Sequence, residues 1–376
     1  MAEHAPDPHR QARAREHART TRRLLLLELA LGVGFLLVML LSGLSSGLSE
    51  SLGLPHTARV AVYTIILAAC YVAISAPLTF YGGFVVPHRY GLSHQNLRSW
   101  FVDQAKEALL AAVLGLGIIV VLYELIRVST DLWWAWTSVF LVFLTVILTW
   151  LAPVLILPLF FETRPLSESD LRERLLVLAR RCDAGISGVF EIGLGEKTPA
   201  GNAMLLGWGG TRRIAISDTV LSRYAPEEIE VIMAHELGHH RHRHVMQLIV
   251  VQSALILLAF YVAHLVLSWA APGLGLGGVW DVAGLPLIVL TVGGLALALM
   301  PLVNAFSRRL ERDADEYSLQ ATDNPGAFTS MLTRLTDQNL VESRPSRWVE
   351  LLLYDHPSLH SRLETARRYR AIEEPK

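Results

Sequence analysis

Six apolar runs, each near the ~20 residues a helix needs to cross the hydrocarbon core of a bilayer, decide most of what this chain can become. Inside a bilayer no water satisfies a backbone amide, so runs of this kind are read as helices that bury their own hydrogen bonds. They extend from Leu24 to about Gly43, Thr57 to Phe80, Glu107 to Ile126, the Trp133, Trp134 and Trp136 cluster to Phe161, Val245 to Ala270, and Val279 to Val303. With 52% hydrophobic residues, 18% charged ones and a mean hydropathy of +0.39, the chain is too apolar for an ordinary soluble enzyme. A formal net charge of -1 excludes a globally basic nucleic-acid binder. Cys70 and Cys182 are too few for a disulfide framework and read as structural thiols.

The distribution of positive charge gives an orientation. Residues 1–23 carry Arg10, Arg13, Arg15, Arg19, Arg22 and Arg23 and read as a flexible, basic cytoplasmic tail. Arg89, Arg98 and Lys106 place the next polar segment on the same side, while the Trp133 cluster, Trp269 and Trp280 mark the outer boundary. The chain therefore divides into the tail, four transmembrane helices in 24–161, a cytoplasmic catalytic segment in 162–244, a transmembrane hairpin in 245–303 and a second cytoplasmic segment in 304–376. No duplicated halves suggest a transporter.

Within the first long polar segment, His235, Glu236 and His239 form an H-E-x-x-H. On a helix the two histidines share a face, able to offer imidazoles to one ion, while Glu236 stands about 100° round the axis. Pro226 at a first helical position, followed by Glu227 and Glu228, makes the helix credible. The motif alone does not separate a zinc site from a hydrogen-bonded histidine pair. No proline divides this helix from the fifth span, so the two are expected to run on as one. On that geometry His235 and Glu311 stand at similar depths, roughly 15 Å and 12 Å beyond the membrane, and Glu311 can be the third ligand. Asp315, four residues on, can receive an N–H from a ligand histidine. The competing reading makes Arg308, Glu311, Arg312 and Asp315 surface ion pairs. His240, His242 and His244 read as an interfacial face. Gly188 to Gly195 reads as a strand, and Ala203 to Trp208 with Arg212 to Ser217 as a hairpin turning at Gly209 and Gly210. Its edge either holds an extended peptide or only covers the helix.

Four separated motifs now point to a family. H-E-L-G-H at His235 to His239, N-A-F-S-R-R-L-E-R-D-A-D at Asn304 to Asp315, N-A-M-L-L-G at Asn202 to Gly207 and H-P-S-L-H-S-R at His356 to Arg362 resemble those of the type I CAAX prenyl endoproteases, integral-membrane zinc proteases of the gluzincin group related to bacterial heat-shock membrane proteases. The resemblance implies one zinc ion on His235, His239 and Glu311, with Glu236 as general base. It implies proton donation by Asp315, although an acid beside zinc should stay ionised and so favours Asp315 as the partner of a ligand histidine, and it implies His356 as a donor to the oxyanion. Asn202, Ala203 and Arg362 would lie against the substrate. Eukaryotic members enclose a seven-helix chamber, one helix more than is counted here.

The expected fold is an α-helical integral membrane protein with about six transmembrane helices and a cytoplasmic α+β, zincin-like metalloprotease domain. Its expected function is hydrolysis of peptide bonds in membrane-associated or lipid-anchored substrates. Quality-control cleavage of damaged membrane proteins is the alternative, and a non-catalytic zinc scaffold or transporter the remote one. The partners implied are a peptide or protein substrate and the lipid bilayer, with no nucleic acid.

Overall fold

A computed structural model of the chain describes residues 5–167, 169–207 and 212–373. The apolar runs are helical except at their edges, and six helices among the described residues are long and apolar enough to cross a membrane. In chain order they are α1 (Pro8–Leu41), α3 (His56–Phe80), α5 (Leu97–Val128), α6 (Trp133–Leu151), α11 (His244–Ala270) and α12 (Leu285–Thr322), with the short α2 (Leu44–Ser51), α4 (Val86–Tyr90) and α7 (Leu157–Phe160) between the early ones. Pro77 does not stop α3. The helix continues through a wide turn at Tyr81–Val85 into α4, and α6 passes through a second such turn, Ala152–Ile156, into α7. Such turns let a helix bend without exposing its amides.

From Pro8 onward the basic segment is helical and not a flexible tail. Asp7 caps α1 by accepting the His9 N–H at 2.8 Å, Pro8 suits the first turn, and the Ala, Arg and Gln residues that follow are good helix formers. At ~1.5 Å per residue α1 is roughly 51 Å long, well beyond a ~30 Å hydrocarbon core, so its first turns project from the membrane beside the polar domain.

That domain begins with β1 (Thr163–Pro165), α8 (Ser169–Arg181) and β2 (Gly188–Ile192), continues with β3 (Ala203–Leu206), β4 (Arg213–Ser217), α9 (Asp218–Leu221) and α10 (Pro226–Arg241), and is completed after α12 by α13 (Pro325–Gln338), α14 (Arg347–Leu353) and α15 (Leu359–Glu373). Its four strands lie in the order β1-β2-β4-β3, with β2 and β4 parallel and the two outer pairs antiparallel. β3 and β4 are hairpin partners in the register Ala203 to Ile216, while the turn expected at Gly209 and Gly210 lies outside the described residues. Leu175, Ile214, Ile216, Met233, Leu237 and Phe328 form the domain's core between sheet and helices. A second core, around Tyr63, Tyr123, Ile126, Trp133 and Leu267, holds the part of the membrane bundle away from the polar domain.

Candidate metal centre and active site

α10 and α12 cross against each other, and the sequence of each shows why they can approach. Ile229, Met233 and Leu237 recur on one buried face of α10. Gly238 then presents no side chain: a Cβ there would sit 3.1 Å from Ala314 Cα and 3.2 Å from Tyr317 Cβ on α12. The glycine of H-E-L-G-H is thus where the second helix's backbone seats.

The approach brings three ligand atoms to one point. His235 Nε2 and His239 Nε2 are 3.2 Å apart, and Glu311 offers Oε2 at 3.4 Å from the first and Oε1 at 3.3 Å from the second. His235, His239 and Glu311 are the metal-ligating cluster among the described residues, with candidate ligand atoms all within 4.8 Å of one another. Glu311 Oε2 is buried without a hydrogen-bond partner, an acceptor that a cation would satisfy. Two imidazoles and one carboxylate suit zinc and leave its fourth position open.

Around these atoms lies a second ring of contacts. Asp315, fully buried, has Oδ1 2.9 Å from His235 Nδ1, which leaves Nε2 free to face the metal position. Arg362 donates from Nε to Asp315 Oδ2 at 2.7 Å and from a terminal nitrogen to Oδ1 at 2.5 Å. Arg362, expected on the substrate side, is therefore engaged with Asp315 and is only 14% exposed. A buried carboxylate needs a counter-charge, and this guanidinium supplies it. Arg308, read alternatively as a surface ion-pair partner, donates to the carbonyls of Glu350 at 2.9 Å and Tyr354 at 2.5 Å, while Asn304 donates to that of Leu352 at 2.8 Å. These bonds strap α14 across α12 and deliver the loop carrying His356, whose Nε2 stands 3.4 Å from Glu311 Oε1. Its Nδ1 lies 2.8 Å from Asp355 Oδ1, a bond that raises the imidazole's pKa against the opposing effect of burial.

Glu236 lies on α10 where that helix packs against β3; burial raises its pKa while His235 and His239 pull the other way. Asn202 precedes β3, is exposed and is tied to Ser217 by two bonds: the Ser217 N–H donates to Asn202 O at 2.9 Å, and the Asn202 N–H donates to Ser217 Oγ at 3.1 Å. Strand alternation then turns the polar groups of Met204 toward β4 and those of Ala203 and Leu205 toward the open edge of the sheet.

One structural expectation is corrected here. α10 and α11 are separate helices: Arg243 takes a left-handed conformation, φ 54° and ψ 37°, and the chain restarts at His244. His244, read from sequence as part of an interfacial face, is instead buried with Nδ1 2.9 Å from His239 Nδ1. Its spacing of five from His239 hides the contact, because only the break in the helix creates it.

Two helical histidines and a distant carboxylate around one point, with a further carboxylate adjoining the first histidine, define a membrane-embedded zinc metallopeptidase. Comparison with known proteins agrees. Residues 165–370 match the profile of peptidase family M48, and residues 3–162 match one described as "CAAX prenyl protease N-terminal, five membrane helices". The chain belongs to peptidase family M48. It is 29% identical over 310 residues to the "Uncharacterized metalloprotease YhfN" of Bacillus subtilis (strain 168), covering 81% of this chain and 72% of that protein. It is 26% identical over 187 residues to CAAX prenyl protease 1 of Saccharomyces cerevisiae, covering 49% of this chain and 41% of that one. The crystal structure of S. mikatae Ste24p has the same fold, with a TM-score of 0.85 over 96% of this chain and 89% of that one at 21% identity.

Proposed function

We propose that this enzyme hydrolyses peptide bonds in lipid-anchored or otherwise membrane-held substrates, at the cytoplasmic face of the bilayer. The observation that carries the reading is the continuity of α12. Glu311 stands roughly 39 Å along the helix from Leu285, more than a ~30 Å hydrocarbon core, so one ligand is fixed just outside the membrane by the span itself. A substrate anchored in the same bilayer arrives at that depth, and each buried CH₂ of its anchor contributes about 0.8 kcal/mol to its retention. Relatives named as CAAX prenyl proteases support a lipidated peptide as the preferred class.

In this reading His235, His239 and Glu311 hold zinc, which when bound supplies a Lewis acid and lowers the pKa of water. Glu236, the residue after the ligand His235 on α10, takes the proton of the attacking water and returns it to the leaving amine. His356 donates from Nε2 to the carbonyl oxygen as charge develops there, and Asp355 holds its ring. Asp315 fixes the His235 ring instead of donating a proton, since Arg362 engages both of its oxygens. The peptide lies along Ala203 and Leu205 as an added strand, beside the exposed Asn202. The arginine distribution supports cytoplasmic placement of both termini and of residues 162–244.

The test compares purified enzyme and Glu236→Gln in proteoliposomes on a farnesylated peptide, its unprenylated twin and an unfolded membrane protein. The variant is expected to keep its zinc and lose about 10³-fold in rate. The farnesylated peptide is expected to show the lower KM. Equal kcat/KM for anchored and soluble peptides removes the membrane from the account, and preference for the unfolded protein favours quality control. Orientation is tested separately. In a background lacking Cys70 and Cys182, an impermeant thiol reagent on intact cells should label Gly273→Cys and not Glu173→Cys, and the reverse pattern inverts the topology.

A further inference from the structure

The residues leading into β3 have no ladder of their own, yet side chains hold most of their main-chain polar groups. The Ala200 N–H donates to Thr198 Oγ1 at 3.2 Å, that of Gly201 to Asn339 Oδ1 at 3.0 Å, and that of Asn202 to Ser217 Oγ at 3.1 Å. The carbonyl of Pro199 accepts from Gln338 Nε2 at 2.7 Å, that of Ala200 from Thr219 Oγ1 at 2.7 Å, and that of Gly201 from Asn339 Nδ2 at 3.3 Å. Thr198, Ser217 and Thr219 are near neighbours in the chain. Gln338 and Asn339 come from the far end of α13, on the other side of the membrane hairpin. Gln338 is buried and fixed in turn by the Tyr224 hydroxyl at 2.7 Å from its Oε1. The contact is close enough to need a glycine, since a Cβ on Gly201 would lie 3.0 Å from Val220 Cγ2 and 3.2 Å from Gln338 Nε2.

The turn that carries Asn339 is fixed from the opposite end of the protein. Leu340 has φ 51°, a left-handed conformation that a branched side chain adopts only when packing demands it. Its side chain is buried against Ala14 of α1, with Val86 and Tyr90. Gln11, also buried, donates Nε2 to Asp337 Oδ1 at 3.2 Å and to the Val341 carbonyl at 3.3 Å, and accepts the Ser343 N–H at 3.0 Å. Asp337 Oδ2 accepts the Asp7 N–H at 3.0 Å, and Arg22 pairs with Glu342 at 3.2 Å.

We propose that Gln338 and Asn339 are positioning residues for substrate, transmitting the packing of the N-terminal helix through the Asp337–Ser343 turn to the edge strand that holds the peptide. The inference rests on reading β3 as that edge. β3 has four residues and β4 as its one ladder partner, so its own hydrogen bonds hold it weakly in place. A peptide that adds to such a strand binds in proportion to how well the strand is already set. The ligand histidines and Glu311 sit on α10 and α12, so slackening this strap changes binding more than the chemical step.

The experiment measures kcat and KM of the full-length, zinc-loaded enzyme in proteoliposomes. The substrates are one anchored peptide and a set in which each amide beside the scissile bond is replaced in turn by an ester, removing one N–H. Wild type is expected to lose about fivefold in kcat/KM on the ester at the position that pairs with β3. Asn339→Ala is expected to raise KM for the all-amide peptide about fivefold with kcat within about twofold, and to lose less than about twofold on that same ester, because the two losses are one interaction. Asn339→Asp, which keeps the acceptor for the Gly201 N–H and loses the donor, should fall between. Gln11→Ala, remote from site and strand, should repeat the KM effect at about twofold, and it carries the test if Asn339→Ala fails to fold. A fall in kcat at unchanged KM, or ester and variant losses that simply multiply, overturns the proposal. If wild type shows no ester penalty at any position, the edge-strand reading itself falls, and the inference with it.

Discussion

α10 and α12 each bring ligands to the same metal position, but they meet the membrane differently. α12 is one helix of 38 residues from Leu285 to Thr322, so Glu311 inherits its depth and rotation from a transmembrane span. α10 ends at Arg241 and is joined to α11 by a left-handed residue, so its two histidines are free of the fifth span's direction. The difference shows which helix sets the site and which is fitted to it. α12 fixes the height of the metal above the bilayer; α10 is aligned to α12 by local packing, with Gly238 seated against Ala314 and Tyr317.

The largest effects expected from this contrast separate ligand from support. Glu311→Ala should release zinc, because neither neighbouring carboxylate, Asp315 or Glu236, is placed among the three converging ligand atoms. Asp315→Asn should keep zinc at about 10- to 100-fold lower affinity or activity, through the freed His235 ring. Metal content by mass spectrometry, alongside turnover, distinguishes the two. If the Glu311 variant retains full zinc, α12 does not carry the third ligand. Gly238→Ala tests the fitting of α10: a methyl 3.1 Å from a backbone Cα cannot be relieved by a side-chain rotation, so the helices must separate, destabilising the domain by about 1–3 kcal/mol and weakening zinc retention. An unchanged chelator-competition curve would show that the approach has slack.

Much of this was legible in the sequence, and the failures share a cause. The six spans are visible because hydrocarbon demands long uninterrupted apolar runs, and His235, Glu236 and His239 because helical periodicity alone brings them together. Asp315 was readable as a companion of Glu311 by its spacing of four. The break after α10 was not, since neither Arg243 nor its neighbours are glycine or proline; burial of His244 holds a conformation that local preference opposes. The fate of Arg362 was hidden for a related reason: its partner Asp315 lies 47 residues away, and only the packed domain reveals a buried acid in need of a cation. Charge in the N-terminal segment suggests solvent, whereas the buried Gln11 and Ala14 mark a packed helix face that only the folded domain reveals.

The smallest expected effect concerns that break. Arg243→Gly removes the steric cost of the left-handed conformation, about 1–2 kcal/mol, and adds roughly 0.5–1 kcal/mol of unfolded-state entropy, leaving a net stabilisation near 0.5 kcal/mol. Arg243→Val should instead destabilise by about 1 kcal/mol or more, since a β-branched residue is poorly tolerated there. Thermal unfolding of the detergent-solubilised variants orders them Gly, Arg, Val if the two helices are truly distinct. The same order would not arise from one continuous helix, in which glycine is the weakest of the three.

The claim beneath all of this is that a transmembrane helix sets the height of the cutting site. Peptides with one transmembrane anchor and one scissile sequence, separated by flexible spacers of increasing length, measure that height directly in proteoliposomes. The account predicts that kcat/KM peaks at a short spacer, one that reaches roughly 10 Å beyond the hydrocarbon core, and falls on either side. Rates independent of spacer length would contradict it, because they would place the site where the membrane does not govern which bond is presented.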